Sequence, residues 1–419
     1  MLITGAELFV KALKEEQADT LFAYPGGQVI DLFDALYGEN DIEVILPRHE
    51  QGLVHAADGY ARSTGKVGVC LVTSGPGATN LVTGIAAANY DSVPLVCFTG
   101  QVPTGLIGND AFQEVDIVGI TRSICKYAVT VRKREDLPMI IKKAFYIART
   151  GKPGVVVVDL PKDIQREYGS DEYPKEIEIR GYKPNTSVHA GQIKRAAAVL
   201  NQAEKPVFLI GGGVNISHAQ DEMLKLAEIT RVPVITTIMG KGAIPATHDL
   251  YVGNIGIHGS YAANTAVSNC DVLFSIGTRF NDRITGEISQ FASHTTIIHV
   301  DIDPASISRN IAVDIPIVAD AKKAISALLE KVHPLDTDQW LNEIGKWKKQ
   351  YPLSMKSRGL TPQKIINAVN NTFSKAIIAT DVGQNQLWAT QFLELSKEKI
   401  LQNISSRCLD QVIDCLIIH

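Results

Sequence analysis

Residues 47–80, PRHEQGLVHAADGYARSTGKVGVCLVTSGPGATN, constrain this chain more than any other stretch. Leu53, Ala57, Tyr60 and Ala61 recur at helical spacing, which predicts a helix with one buried face and Glu50 at its start. A turn is expected at Ser63-Thr64-Gly65. Residues 67–73 form a short apolar run rich in β-branched side chains, a strand signal. Ser74-Gly75-Pro76-Gly77 then predicts a tight turn into a second helix, with free backbone N–H groups at its mouth. Helix, strand, glycine turn and helix in this order belong to an open α/β sheet, which places ligands at its strand ends. Glu50 is therefore either a solvated first-turn carboxylate complementing the helix dipole or an acid facing a ligand.

The same alternation extends over residues 1–165. Residues 4–17 read as a helix with Ala6, Phe9, Val10 and Leu13 inward and a Thr4/Glu7 capping box. Strands are expected at 20–24, 42–46, 67–73, 95–99, 126–131 and 155–159, with helices between most of them. That pattern predicts a doubly wound parallel sheet. Its loops carry Tyr24-Pro25-Gly26-Gly27, Gly75-Pro76-Gly77, Gly100-Gln101-Val102-Pro103 and Ala111-Phe112-Gln113-Glu114. Singly, each is an ordinary turn; together they gather on one edge. Lys162 is either a solvated charge after a strand or part of that edge.

Residues 166–188 are polar and Pro/Gly-punctuated and read as a linker. A second α/β domain is expected at 189–335, with a helix at 190–202 and strands at 207–210, 232–237, 272–276 and 296–301. Gly211-Gly212-Gly213 is a partial phosphate-loop pattern, and no Gly-x-Gly-x-x-Gly follows a strand, which disfavours a nicotinamide dehydrogenase. Acids at strand ends either take a ribose hydroxyl or cap helices, and Arg279 and Arg283 offer bidentate contacts to phosphate or carboxylate. A Trp-bearing amphipathic segment at 339–351 precedes a helix at 360–373 and a strand at 376–379.

A net charge of −4 argues against a nucleic-acid or anionic-membrane surface. No apolar run is long enough to span a bilayer. The mixed-charge amphipathic N-terminus is unlike a signal peptide, and six cysteines without CxxC spacing fit a reducing compartment. A cytoplasmic chain is expected.

Pro47-Arg48-His49-Glu50-Gln51, Ala56-Ala57-Asp58-Gly59-Tyr60-Ala61-Arg62 and Thr73-Ser74-Gly75-Pro76-Gly77-Ala78-Thr79-Asn80 resemble the pyrimidine-binding domain of thiamine-diphosphate enzymes. Among these, they are most similar to the catalytic subunit of the acetolactate synthase family. The resemblance implies successive doubly wound domains, with Glu50 bonding the cofactor's aminopyrimidine at N1′ and Pro25, Gly26, Gly27, Gly75 and Asn80 beside it. It implies Phe112, Gln113, Lys162 and Arg279 near the substrate. His258 to Arg283 and His299 to Asp320 resemble the FAD-binding segments of the biosynthetic type. This adds Gly211, Gly212, Gly213, His258, Gly259, Gly277, Thr278, Arg279, Asp282, Arg283, Asp301, Ile302 and Asp320 to the cofactor set, together with Lys152. The flavin is implied to be largely structural.

Thr380-Asp381-Val382-Gly383-Gln384-Asn385-Gln386 resembles the start of the family's diphosphate-binding domain, with Gln384 and Asn385 at the diphosphate. The likeness stops near residue 400, and the tail 401–419 diverges. The Gly-Asp-Gly that would hold Mg²⁺ in this family is absent from the sequence. A truncated or frameshifted gene, with an incomplete third domain over 360–400 and no metal ligands, is therefore expected. The resemblance implies decarboxylation of pyruvate and carboligation to a second 2-keto acid, giving 2-acetolactate or 2-aceto-2-hydroxybutyrate for branched-chain amino acids. It also implies a homodimer or tetramer whose sites are shared between subunits, with a small regulatory subunit as a further partner. The chain alone is expected to be inactive. The alternatives are a noncatalytic FAD-binding remnant, or a pyruvate oxidase or 2-keto acid decarboxylase of the same superfamily.

Overall fold

The computed structural model describes residues 1–185, 187–356, 358–380, 382–395, 399–403 and 417–418, the last two stretches as backbone alone. Asp381 and most of the divergent tail lie outside the described residues. The described chain forms two compact units, Met1–Pro184 and Asn185–Asn403.

In the first unit a short strand β1 (Leu2–Thr4) leads into the helix Gly5–Glu15. The main sheet follows: β2 (Thr20–Ala23), β3 (Glu43–Ile45), β4 (Gly68–Val72), β5 (Leu95–Gln101), β6 (Tyr127–Thr130) and β7 (Val155–Pro161). These six strands are parallel in the order β3-β2-β4-β5-β7-β6. Residues of β4, β5 and β7 are buried throughout, as expected of central strands covered on both faces. Ala6, Phe9, Val10 and Leu13 face inward, and Phe9 meets Phe98 edge-on with ring centroids 4.9 Å apart. The Thr4/Glu7 capping box forms in both directions.

Two local expectations are corrected. The helix begun by Glu50 continues through Ser63 and Thr64 to Thr64, and the turn is carried by Gly65 alone at φ 73°. The reason is local: the Ser63 and Thr64 hydroxyls bond carbonyls one turn back, so they satisfy themselves within the helix. The polar stretch after residue 166 is held against this unit over much of its length. Its strand β8 (Tyr168–Ser170) pairs antiparallel with β1, and Tyr173, Ile179 and Tyr182 pack on the core. Tyr173 donates to the buried Glu16, which also takes Lys142 and Arg149.

The second unit contains β9 (Pro206–Ile210), β10 (Val234–Thr236), β11 (Tyr251–Asn254), β12 (Val272–Ile276), β13 (Thr296–Asp301) and β14 (Ile315–Val318). They are parallel in the order β11-β10-β9-β12-β13-β14. Numbered within the unit this is 3-2-1-4-5-6, the dinucleotide-fold order, and it reverses between β9 and β12. β11 and β14 had no sequence counterpart. The helix Asp338–Gln350 covers one face through Trp340, whose indole N–H donates to Pro206 O. The helix Pro362–Thr372 is capped by Thr361 and leads to β15 (Ala376–Thr380), flanked by β16 (Lys399–Asn403) and β17 (Ile417–Ile418).

Candidate functional sites at two strand-order reversals

In the first unit the strand order reverses between β2 and β4, and loops from both strands meet there. Gly26 lies so close to Thr73 that an added Cβ would come within 2.5 Å of its side chain, and Thr73 Oγ1 accepts from Gln28 N at 3.3 Å. Gly75 turns at φ 59°, where Pro76 can open the next helix and where a side chain would strike Gln113 O at 2.7 Å. Gly75 and the backbone of Gln113 are thereby in contact.

Glu50 enters this corner from the N-terminus of its helix, whose cap is His49 accepting from Gln51 N. Asn80 donates from Nδ2 to Glu50 Oε2 at 3.0 Å. Glu50 Oε1 lies beside Gly77, where a Cβ would come within 3.4 Å of it. Asn80 thus fixes one carboxyl oxygen, and Gly77 keeps bulk away from the other. The helix behind Glu50 is anchored by Arg62, bonded to Asp58 at 2.8 Å and Asp91 at 3.0 Å. Ser74 Oγ and Gln28 Oε1 are buried and have no partner among the described residues. Unpaired polar atoms at a strand-end crevice suit a polar ligand.

Lys162, directly after β7, donates to Gly27 O at 2.5 Å and lies 3.9 Å from Asp31. It is therefore tied to the Pro25-Gly26-Gly27 loop rather than standing as a free solvated charge. Phe112 is 83% exposed, and Gln113 beside it adopts φ 58°. One edge of the sheet thus gathers Glu50, Pro25, Gly26, Gly27, Gly75, Asn80, Phe112, Gln113 and Lys162. Lys152 precedes β7 and lies at the opposite end of that strand, so it does not join them.

In the second unit the corresponding reversal is built from backbone. An added Cβ on Gly211 would sit 2.1 Å from Gly277 O, and one on Gly213 2.7 Å from Gly277 Cα. Gly277 itself turns at φ 66°. Gly212 opens the short helix Gly212–Ile216. Thr278 is buried, shares a 2.5 Å hydroxyl contact with Ser275, and its carbonyl lies 2.9 Å from His299 Nε2. Burial pushes the His299 imidazole down to about 4, so it is neutral, and its Nδ1 has no partner among the described residues. Asp301 ends β13 and accepts from Asp303 N at 2.8 Å, with Ile302 between them. Asp320 caps the helix Ala321–Leu329 by accepting from Lys323 N at 3.1 Å.

His258, Arg279, Asp282 and Arg283 are exposed, and Gly259 packs against the Asn254–Gly256 backbone. Gln384 and Asn385 are exposed at the start of the helix Gln384–Phe392, from which Gln391 donates to His258 O at 3.0 Å.

Sequence reasoning missed Thr99, Asp159 and Lys241, and gave Gln101 no role beyond its loop. For Thr99, Gln101 and Asp159 the available signal was a polar side chain at the end of an otherwise apolar run; Lys241 lies in the turn beyond β10 and carried no such signal. Lys241 is buried, donates to Thr390 O at 2.5 Å, and is pushed down to about 8 by burial.

Residues 3–120 match the family described as "Thiamine pyrophosphate enzyme, N-terminal TPP binding domain", and residues 193–328 match "Thiamine pyrophosphate enzyme, central domain". The chain is 48% identical over 405 residues to a probable acetolactate synthase large subunit of Methanocaldococcus jannaschii, covering 93% of this chain and 68% of that protein. It is 46% identical over 409 residues to the acetolactate synthase large subunit of Buchnera aphidicola subsp. Schizaphis graminum, covering 95% and 71%. It is 44% identical over 410 residues to acetolactate synthase isozyme 3 large subunit of Escherichia coli, again covering 95% and 71%.

Proposed function

Because the chain belongs to the acetolactate synthase large-subunit family of thiamine-diphosphate enzymes, we propose that its first strand-order reversal is the pyrimidine side of a carboligase site. The single observation that supports this reading best is the Glu50 carboxyl, one oxygen held by Asn80 and the other facing the space that Gly77 leaves. Glu50 would hold a proton at N1′ of the aminopyrimidine, and Asn80 would keep the carboxyl aligned for that bond. Thiamine diphosphate, when bound, supplies the electron sink for decarboxylating a 2-keto acid. Phe112 and Gln113 would bound the 2-keto acid from the exposed side. Lys162, tied to Gly27 O, would hold the Pro25–Gly27 loop against it.

The second reversal fits an extended nucleotide such as FAD. Gly211 and Gly213 pack backbone on backbone against Gly277, and Asp301 stands at the next strand end. There Gly211, Gly212, Gly213, Gly277 and Thr278 would line the pyrophosphate and Asp301 and Ile302 the ribose side, with Arg279 and Arg283 reaching an anionic group. Among the described residues no three acidic, histidine or cysteine side chains gather as a metal site. Gln384 and Asn385 would meet the diphosphate.

The exposure of Phe112 supports a site completed by another chain, in a homodimer or tetramer; the relatives' designation as large subunits supports a small regulatory partner. Cytoplasmic placement belongs to the same proposal. No helix among the described residues is long and apolar enough to cross a membrane.

The test is to incubate the purified protein with pyruvate, thiamine diphosphate, FAD and Mg²⁺, and to score acetolactate, acetaldehyde and acetyl phosphate separately. Thiamine-diphosphate binding is measured by calorimetry on the same sample. Acetolactate as the product supports the carboligase reading. Acetaldehyde or acetyl phosphate instead overturns it in favour of a decarboxylase or oxidase. Flavin retained without thiamine-diphosphate binding favours a noncatalytic flavin-binding role.

A further inference from the structure

Asp159 lies near the carboxyl end of β7 and is buried, yet its position is not that of a structural ion pair. Its Oδ1 accepts from Thr99 Oγ1 at 2.8 Å, and its Oδ2 accepts from Gln101 Nε2 at 3.1 Å and Thr130 Oγ1 at 3.2 Å. All three donors come from neighbouring strands, β5 on one side and β6 on the other. A buried carboxylate is costly, and an apolar residue would fill this point of the sheet more cheaply.

What Asp159 orients is Gln101. The Gln101 amide accepts Val102 N at Oε1, 2.9 Å away, and its Nε2 donates both to Asp159 and to Val115 O, at 3.0 Å. Turning the amide over would put oxygen against two oxygens, so its orientation is fixed. Val115 is two residues beyond Gln113, whose backbone touches Gly75. The segment leaving β5 is held along its length by two other carboxylates. Asp163 accepts from Thr104 N at 3.0 Å, and Glu114 accepts from Gly108 N at 2.7 Å. Asp163 follows Lys162 in the chain, so this segment shares a base with the lysine that holds the Gly27 loop.

We propose that Asp159 is a positioning residue: acting through Gln101, it fixes the Val115 end of the segment that sets Phe112 and Gln113 beside Gly75. The bond to an ionised acceptor is stronger than one to a neutral amide, and it is made inside the sheet where water does not compete. An exposed loop whose tip includes a left-handed Gln113 is thereby tied to the most rigid part of the unit. The consequence for the reaction rests on the reading of Phe112 and Gln113 as substrate-side residues; the tether itself does not.

The experiment is peptide-resolved hydrogen exchange on the whole protein at neutral pH, comparing Asp159→Ala, Gln101→Ala and Asp159→Asn with the parent. Exchange in residues 102–116 should rise about tenfold or more in both alanine variants, the effect of losing one charge-assisted hydrogen bond. Residues 67–72 should exchange as before. Asp159→Asn keeps an acceptor oxygen for Gln101 and should restore protection to within a few-fold of the parent. Unchanged exchange in 102–116 in both alanine variants overturns the proposal. So does parallel loosening of 67–72, which would make Asp159 a core residue only, and so does failure of Asp159→Asn to rescue. The turnover assay on the parent protein tests the substrate reading separately, so either can fail without the other.

Discussion

The two units solve the same topological problem with different materials. Each is a six-stranded parallel sheet with a strand-order reversal, between β2 and β4 in the first and between β9 and β12 in the second, that opens a crevice at the strand ends. In the first unit the crevice is furnished with side chains: Glu50 aligned by Asn80, and Lys162 tied to Gly27. In the second it is closed by glycines whose backbones touch; Arg279, Asp282 and Arg283 stand exposed outside it, while Asp301 is buried at a strand end. The topology sets the place in both. Whether the place does proton chemistry or cradles a long ligand is decided by what occupies the first few residues after each strand.

If this contrast is right, the largest effect belongs to Glu50→Gln. The amide is nearly isosteric and Asn80 still finds an oxygen, but the carboxyl proton exchange is gone. In any preparation whose parent protein turns over 2-keto acid, turnover should fall by about 10²–10⁴-fold, with little change in thermal midpoint. Parallel assays of product formation and unfolding would break the contrast if turnover fell less than about tenfold. The opposite signature is expected of Gly211→Ala. A methyl group there meets a backbone oxygen at 2.1 Å, and neither side can rotate away. The second unit should lose about 3 kcal/mol and release flavin, read by denaturant midpoint and flavin absorbance, while exchange in the first unit stays unchanged.

Much of this was legible in the sequence, for physical reasons that differ by element. Central parallel strands are buried on both faces, so β4, β5, β7, β9, β12 and β13 announce themselves as continuous apolar runs. The missed strands are edges: β11 includes Gly253 at φ 146°, and β14 carries Pro316, each a local argument against a strand. The β1–β8 pair joins residues about as far apart as the unit allows, and three-residue strands leave no periodicity to read. The strand-end glycines and Glu50 were legible because each sits in a compact motif. Asp159 was not. Its meaning comes from lateral register, with Thr99 beside it on β5 and Thr130 on β6, and register cannot be read along one strand.

The buried titratable groups sharpen the comparison, because the two units should respond to pH with opposite sign. Burial raises Asp159 from its ordinary 3.8 to about 6. The folded state therefore holds its proton more tightly than the unfolded chain. The associated stability is present below the ordinary value and is lost as pH rises through about 6. Relative to Asp159→Asn, the parent's first unit should weaken between pH 4 and 6 by at most about 3 kcal/mol. Lys241 in the second unit is lowered from 10.5 to about 8, also by burial. There the folded state releases its proton first, so stability is full above the ordinary value and is lost as pH falls through about 8. Relative to Lys241→Met, the second unit should gain up to about 3 kcal/mol as pH is raised from about 8 towards 10.5. Unit-resolved hydrogen exchange across the pH range would show the two slopes. Slopes of the same sign would mean that these groups do not govern the units that contain them.

The smallest stability effect is the most discriminating for the second crevice. Asp320 caps its helix by accepting from Lys323 N, and asparagine caps a helix about as well. Asp320→Asn should therefore change the unfolding midpoint by no more than about 0.5 kcal/mol. Its effect on flavin retention then separates two roles that share one side chain. A cap that is nothing more leaves flavin affinity as it was, because the helix start has not moved. A carboxylate that also accepts a hydroxyl from a nucleotide loses a charge-assisted bond, and affinity should drop by roughly tenfold, read by fluorescence of released flavin. That outcome would also refine the contrast itself. The second crevice would still be shaped by backbone, but it would recognise its ligand with a side chain, as the first does.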